Sequence, residues 1–322
     1  RWLMGVAILA LAVAIIAPQA AIAQTNFTWN NTQSFWDIPG AWTPGGPPGA
    51  IDIASFSNNV TQTISWDDIT GNRQTGRLNV VAGDYTFINT GSAQHVLTLN
   101  SAGFNAFQVS GASTVLTMRG LHFNAVNGGG ILLGGATFNL DGSHPLGSRL
   151  SLSQDFEIDG TLNVQASGEV TNTHGFIGAN PSSIGTATVT GADSKWTNSG
   201  ELIVGAFGSG TLNIESGGEV TNTFGSIGHN GGTGGSGIVN VTGTGSKWTN
   251  SGSLNVGNDS SGTLSVQNGG EVSNAKGAIA AFAGSNGNAT VTGSGSKWTN
   301  SGDLEIGRVG TGALNVQNGG EV

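Results

Sequence analysis

Apolar and polar residues alternate along most of this chain in short runs. In its best-ordered stretch Leu202 and Val204, then Leu212 and Ile214, then Val220 and Ile227 are set apart by polar or small residues. A period of two puts every second side chain on one face of an extended strand. Gly, Asn and Ser interrupt the runs too often for a helix of ordinary length, and beyond residue 23 no segment carries a 3.6-residue period. The pattern predicts an all-β chain of many short strands, each buried on one face.

The pattern itself repeats. Residues 189–220, 241–272 and 291–322 align without gaps, and 18 of the 32 aligned positions are identical in all three copies. Trp196, Trp248 and Trp298 mark the register at intervals of 52 and 50 residues, and a half copy, GTLNVQASGEVTN, precedes them at residues 160–172. One unit holds six short runs, at 187–190, 195–198, 201–204, 211–215, 219–222 and 226–228. Two coils of three strands would accommodate them. The expected fold is a right-handed parallel β-helix, a β-solenoid built from repeats of about 50 residues, whose coils stack ~4.8 Å apart and bury one another's inward Leu, Val and Ile. A β-propeller or a jelly-roll sandwich fits less well, because these runs are shorter and richer in the Gly and Asn that tight corners need. Two coils per unit would also hold the equivalent Lys195, Lys247 and Lys297 apart, and likewise Glu219, Glu271 and Glu321, at steps of about 10 Å, one Debye length at 0.1 M salt.

Four segments follow. Residues 1–23 read as a signal peptide: an apolar stretch over 3–17, then Pro18 and Gln19, then the small residues Ala20, Ala21, Ile22 and Ala23 before Gln24, with cleavage expected between Ala23 and Gln24. The apolar core falls short of the ~20 residues that span a bilayer. Residues 24–75 hold Trp29, Trp36, Trp42 and Trp66 with a Pro/Gly-rich turn, as expected of a cap over the open end of a solenoid. Residues 76–184 show looser alternation, at 78–82, 85–89, 96–100, 107–110, 115–118 and 137–140, and read as degenerate coils. Residues 185–322 are the regular array, breaking off inside a motif at Val322 as a truncated array would.

Composition narrows the function. There are 56 Gly, no Cys and 9% charged residues, with a net charge of −9 and no basic run, so nucleic acid is excluded as an expected partner. An exported chain without disulfides has to take its stability from repetition. Gly232, Gly234 and Gly237 satisfy GxGxxG, but a strand-like IVNVTG follows where a phosphate-binding helix should begin. Neither a GK[ST] loop, a GxSxG elbow nor a calcium nonapeptide occurs. His95, His122, His144, His174 and His229 are scattered singly, without metal-ligand spacing, and are expected at exposed loops and corners. Asp67 and Asp68, near Arg73 and Arg77, form the one carboxylate pair weighed for catalysis, and adjacent strand residues point to opposite faces. The recurrent Trp residues are expected to fill coil corners rather than to form an exposed sugar-stacking column. Asn198, Asn250 and Asn300 are expected at left-handed corners. No catalytic residue, cofactor or metal site is therefore expected.

The array motif, WTNSGxLxVG followed by GTLxVxxGGEV over roughly residues 160–322, resembles the repeat shared by autotransporter passengers of type V secretion and PEP-CTERM-associated extracellular proteins. FWDIPGAWTPGGPPGAIDIASF resembles the start of autotransporter passengers. The resemblance implies an extracellular β-helix at the surface of a Gram-negative cell, often adhesive. Its partners would be glycan or protein ligands on other surfaces and a downstream outer-membrane translocator barrel, or a sorting tail in its place. The alternative within the same fold is a polysaccharide-degrading enzyme.

Overall fold

A computed structural model describes residues 25–31, 36, 39–50, 52–66, 73–75, 77–100, 103–229 and 235–322. The proposed signal peptide, Asp67 and Asp68, and Gly232 and Gly234 lie outside them. Among the described residues there is one short 3-10 turn, Pro39–Ala41, and no α-helix.

The strands form three parallel sheets that the chain visits in turn. In one coil Ile184–Thr190 lies in sheet I, Lys195–Asn198 in sheet II and Glu201–Val204 in sheet III. The next coil repeats the circuit with Ser209–Glu215, Glu219–Asn222 and Phe224–Ile227. Sheets I, II and III contain 11, 10 and 13 strands, which makes a β-solenoid of about 11 turns. In sheet I, partners from Thr137 to Ala313 lie 24 to 27 residues apart. Each Trp therefore returns on every second coil: Val170, Trp196, Val220, Trp248, Val272 and Trp298 are successive neighbours in sheet II.

The column inside is continuous. Ala187, Leu212, Val239, Leu264 and Ala289 stack in one row of sheet I, all buried. Trp196, Trp248 and Trp298 are wholly buried, pointing inward from the middle of strands rather than from corners. Space for the indoles comes from the coil before. A Cβ on Gly225 would come 2.9 Å from Trp248 Cζ2 and closer still to Asn250 Oδ1, so only glycine leaves room there. Gly205, at the corner leaving sheet III, has φ +74° and would press a Cβ into the carbonyl oxygen of Ser236.

Buried amides accompany the indoles. Trp248 Nε1 donates to Asn222 Oδ1 at 2.7 Å, and Asn222 Nδ2 donates to Asn250 Oδ1 at 2.5 Å. The same pair of bonds links Trp196, Asn172 and Asn198, and Trp298, Asn274 and Asn300. These asparagines end sheet II strands and have no positive φ, which corrects the left-handed corner expected of Asn198, Asn250 and Asn300. Positive φ falls instead in the turns from sheet I to sheet II, as at Ser216 and Asn268, and at the corners leaving sheet III, as at Gly205 and Ala280.

At the N-terminal end the packing is aromatic. Trp29, Trp36, Trp42, Trp66, Phe56 and Tyr85 are all buried, with Trp36 and Trp42 ring centres 4.8 Å apart. Trp42–Thr43 pairs antiparallel with Asn26–Trp29 at the edge of sheet III. An antiparallel edge pair interrupts the parallel stacking and ends the template on that side.

Candidate functional site

The three outer faces share one scaffold but differ in what they present. On sheet II the outward positions repeat from coil to coil. Arg149, Glu169, Lys195, Glu219, Lys247, Glu271, Lys297 and Glu321 are successive register partners, flanked by a row of Thr and Ser. Lys195 lies 3.8 Å from Glu219, Lys297 lies 3.6 Å from Glu321, and Arg149 pairs with Glu169. The row alternates in sign. The spacing of like charges expected from two coils per unit is present, but an opposite charge stands in each gap, and its attraction adds to the distance in relieving repulsion. Sheet I presents small polar rows, among them Asn163 on Asn139 at 2.8 Å and Asn240 on Asn213 at 2.9 Å.

Sheet III does not repeat on its outside. One row reads His174, Glu201, Phe224, Ser253, Lys276 and Asp303, and the row beside it reads Glu157, Phe176, Ile203, Ser226, Asn255, Ala278 and Glu305. Where the three long copies align, this face and the corner after it carry the sharpest chemical changes: Glu201, Ser253 and Asp303; Ile203, Asn255 and Glu305; Ala206, Asn258 and Arg308; Phe207, Asp259 and Val309. Exposed apolar side chains gather there too, including Phe207, Phe224, Phe282 and Val309.

Two recesses open side by side on this face. The first, of about 180 Å³, lies among Glu201, Ile203, Phe224, Ser226, His229 and Asn258. The second, of about 230 Å³, is more charged, with Lys276, Asp303, Glu305 and Arg308, and shares Ser253 and Asn255 with the first.

Further back along sheet III is an acidic group that sequence reading overlooked. Asp155 accepts or shares a proton with His174 Nδ1 at 2.8 Å. Glu157 lies in register between Ile131 and Phe176, and this burial, with the nearby charges of Asp159 and Asp155, raises its pKa above the usual carboxylate range. Asp159 is committed to structure. Its buried carboxylate accepts from Ala179 N at 2.6 Å, Asn180 Nδ2 at 2.5 Å and Ser183 Oγ at 2.6 Å, which ties down the following corner.

Of the five histidines, His144, His174 and His229 lie in turns or corners and are partly exposed, whereas His95 and His122 depart from the expectation of exposed corners. His95 is buried at the start of a strand, and His122 is a strand residue whose pKa is lowered by burial and by Arg149, against an opposing pull from Glu169. His229 shares a hydrogen bond with Asn258 Nδ2 at 3.0 Å. They remain scattered, and among the described residues no group of three His, Asp or Glu is placed to hold a metal ion. Arg73 and Arg77 lie in strands Arg73–Thr75 and Arg77–Val80, and Asp67 and Asp68 fall outside the described residues. Ser236–Thr242, which takes in Gly237, the last glycine of the GxGxxG segment, is a strand, so no helix N-terminus follows those glycines. Compared with protein-family models, curated proteins and solved structures, the chain matches none.

Proposed function

We propose that this chain is an extracellular structural and adhesive module, exported by its first 23 residues and displayed at a Gram-negative cell surface as an autotransporter-like passenger. The observation carrying this reading is the split between scaffold and surface. The core stays apolar and the outside of sheet II keeps one pattern from copy to copy, while the outside of sheet III and the corner after it are varied and recessed. A surface that varies on an otherwise constant support is what a binding array needs. The apolar leader and the repeat resemblance support export, and a cysteine-free chain suits threading through an outer-membrane pore before folding outside. Right-handed winding belongs to the same reading, since β-crossover-β connections are almost always of that hand.

Purified chain coupled to beads should be retained on intact cells and on polysaccharide-coated surfaces, without releasing soluble sugar. Immunolabelling of intact producing cells should find the chain outside. Absence of external label, or failure of the beads to adhere, would contradict the proposal.

A second reading, a polysaccharide-degrading enzyme, is favoured by one observation. Asp155 and Glu157 flank one strand residue, and burial together with the charges of Asp159 and Asp155 raises the pKa of Glu157, the direction a general acid requires. Release of reducing ends that disappears in Glu157→Gln would establish it.

A further inference from the structure

The first recess on sheet III has the elements of a sugar site. Phe224 is 47% exposed and forms one wall. Its ring passes over Gly252, where a Cβ would stand 2.7 Å from Phe224 Cε1, so the glycine permits the ring to lie close to the sheet. The opposite wall is a linked polar set: Asn255 Nδ2 donates to Asn258 Oδ1 at 3.0 Å, and Asn258 Nδ2 meets His229 Nδ1 at 3.0 Å. These bonds fix the amides and leave Asn255 Oδ1 free of any bond within the set. Between the walls, Ser226 lies in register with Ile203 and Asn255. Its hydroxyl is buried and has no hydrogen-bond partner. A buried hydroxyl without a partner carries an uncompensated desolvation penalty, so a ligand group that reaches it recovers that loss. Glu201 supplies a carboxylate at the rim.

We infer that this recess binds a neutral hexopyranose unit of a glycan, with the apolar face of the ring on Phe224 and its hydroxyls on Ser226, Asn255 and Glu201. Three features select this chemistry. An exposed aromatic wall facing fixed amides and a hydroxyl matches a ligand that is apolar on its faces and polar around its edge. The recess contains Glu201 and no lysine or arginine, which disfavours phosphate, sulfate and uronate. Its volume of about 180 Å³ suits a single ring and not a helix or a strand of protein. The second recess continues along the coil axis, so an extended oligosaccharide laid along sheet III meets both.

The assignment rests on the display reading, because it names what the varied face holds. It is tested on the purified, ¹⁵N-labelled chain by titration with cellotetraose, maltotetraose, mannotetraose and N-acetylchitotetraose, with tetragalacturonate as the anionic comparison. At least one neutral tetrasaccharide should move the backbone signals of Gly225, Ser226 and Asn255. Its affinity should fall at least tenfold in Phe224→Ala and persist in Phe224→Tyr. Sheet II signals of Phe224→Ala should match those of the parent, which separates lost binding from lost folding. No response to any neutral sugar, preference for tetragalacturonate, or undiminished binding by Phe224→Ala would overturn the inference. Cell retention of the beads that survives such a result would show that only the groove is misassigned, whereas loss of retention as well would remove the display reading.

Discussion

Sheets II and III are wound from the same coils, and their outer faces follow opposite rules. Sheet II repeats one row of alternating Lys and Glu beside one row of Thr, whereas sheet III sets Phe, Ser, Lys, Asp and Glu at equivalent positions. Beneath both, the inward residues are mainly Leu, Val, Ile, Ala and Trp, with the buried Asn that bond the indoles. The contrast teaches that inward identity keeps the coils stacked, that charge alternation keeps one face in register, and that the third face is free to vary because nothing in the winding depends on it. Neighbouring coils supply most of each coil's stabilising contacts, so a change in the column should be felt along the array, and a change outside it should not.

The largest effect should come from breaking what the faces share. Leu212 is fully buried between Ala187 and Val239, and Leu212→Asp leaves a carboxylate there without a partner. A cost of ~3–5 kcal/mol or more is expected, spreading to adjacent coils on every sheet, and read as lost hydrogen-exchange protection over residues 184–242. Unchanged protection in that window would mean that Leu212 does not carry the column.

Next comes the indole and amide chain under sheet II. Asn222→Ala removes the acceptor of Trp248 Nε1 and the donor to Asn250, and should cost about 1–3 kcal/mol, concentrated in the coils of Asn222 and Asn250. A loss confined to the substituted turn would show that the ladder does not couple coils. The surface charges matter less. Glu219→Lys places three lysines in succession at Lys195, residue 219 and Lys247, and should destabilise by about 0.5–1 kcal/mol at low salt. The penalty should fade near 1 M salt, where the Debye length is about 3 Å. A penalty indifferent to salt would assign the effect to packing.

On sheet III the effects on stability should be smaller again. Glu157 has a raised pKa in the folded chain, so its contribution is present in acid and is lost as pH rises through that value. Glu157→Gln should therefore be more stable than the parent near neutral pH, with the two converging as pH drops below the ordinary carboxylate range. Convergence at high pH instead would reverse the sign and the account of the burial.

The strand pattern was legible because period two depends on burial alone. All six runs expected in the unit beginning at residue 187 overlap strands: 195–198, 201–204 and 219–222 coincide with them, while Ile184–Thr190, Ser209–Glu215 and Phe224–Ile227 start two or three residues earlier than expected. The coils before residue 160 were less so. Gly128–Leu133 and Phe156–Ile158 were not marked, since three glycines and a three-residue strand carry almost no alternation. The charge ladder was hidden for another reason. Lys195 and Glu219 stand 24 residues apart, and only the half-unit coil, used as the period, makes them neighbours. The recess on sheet III was missed because a repeat is defined by residues that recur, and its walls are those that do not: Phe224, Ser226, His229 and Asn258 occupy positions held by other residues in other copies. Divergence between aligned copies was the available signal.

That scaffold and surface are separable can be tested by exchanging outward residues between two coils. In the variant Phe224→Lys, Ser226→Ala, Lys276→Phe and Ala278→Ser, the outside of Phe224–Ile227 takes the side chains of Lys276–Ile279 and the reverse, while every inward residue stays. Thermal unfolding should lie within about 4 °C of the parent, a difference of roughly 1 kcal/mol, because surface exchanges rarely cost more. Neutral-sugar binding at Gly225 should vanish in the same sample. A large loss of stability, or a sugar response at Gly225 that survives the exchange, would contradict the separation of scaffold from surface.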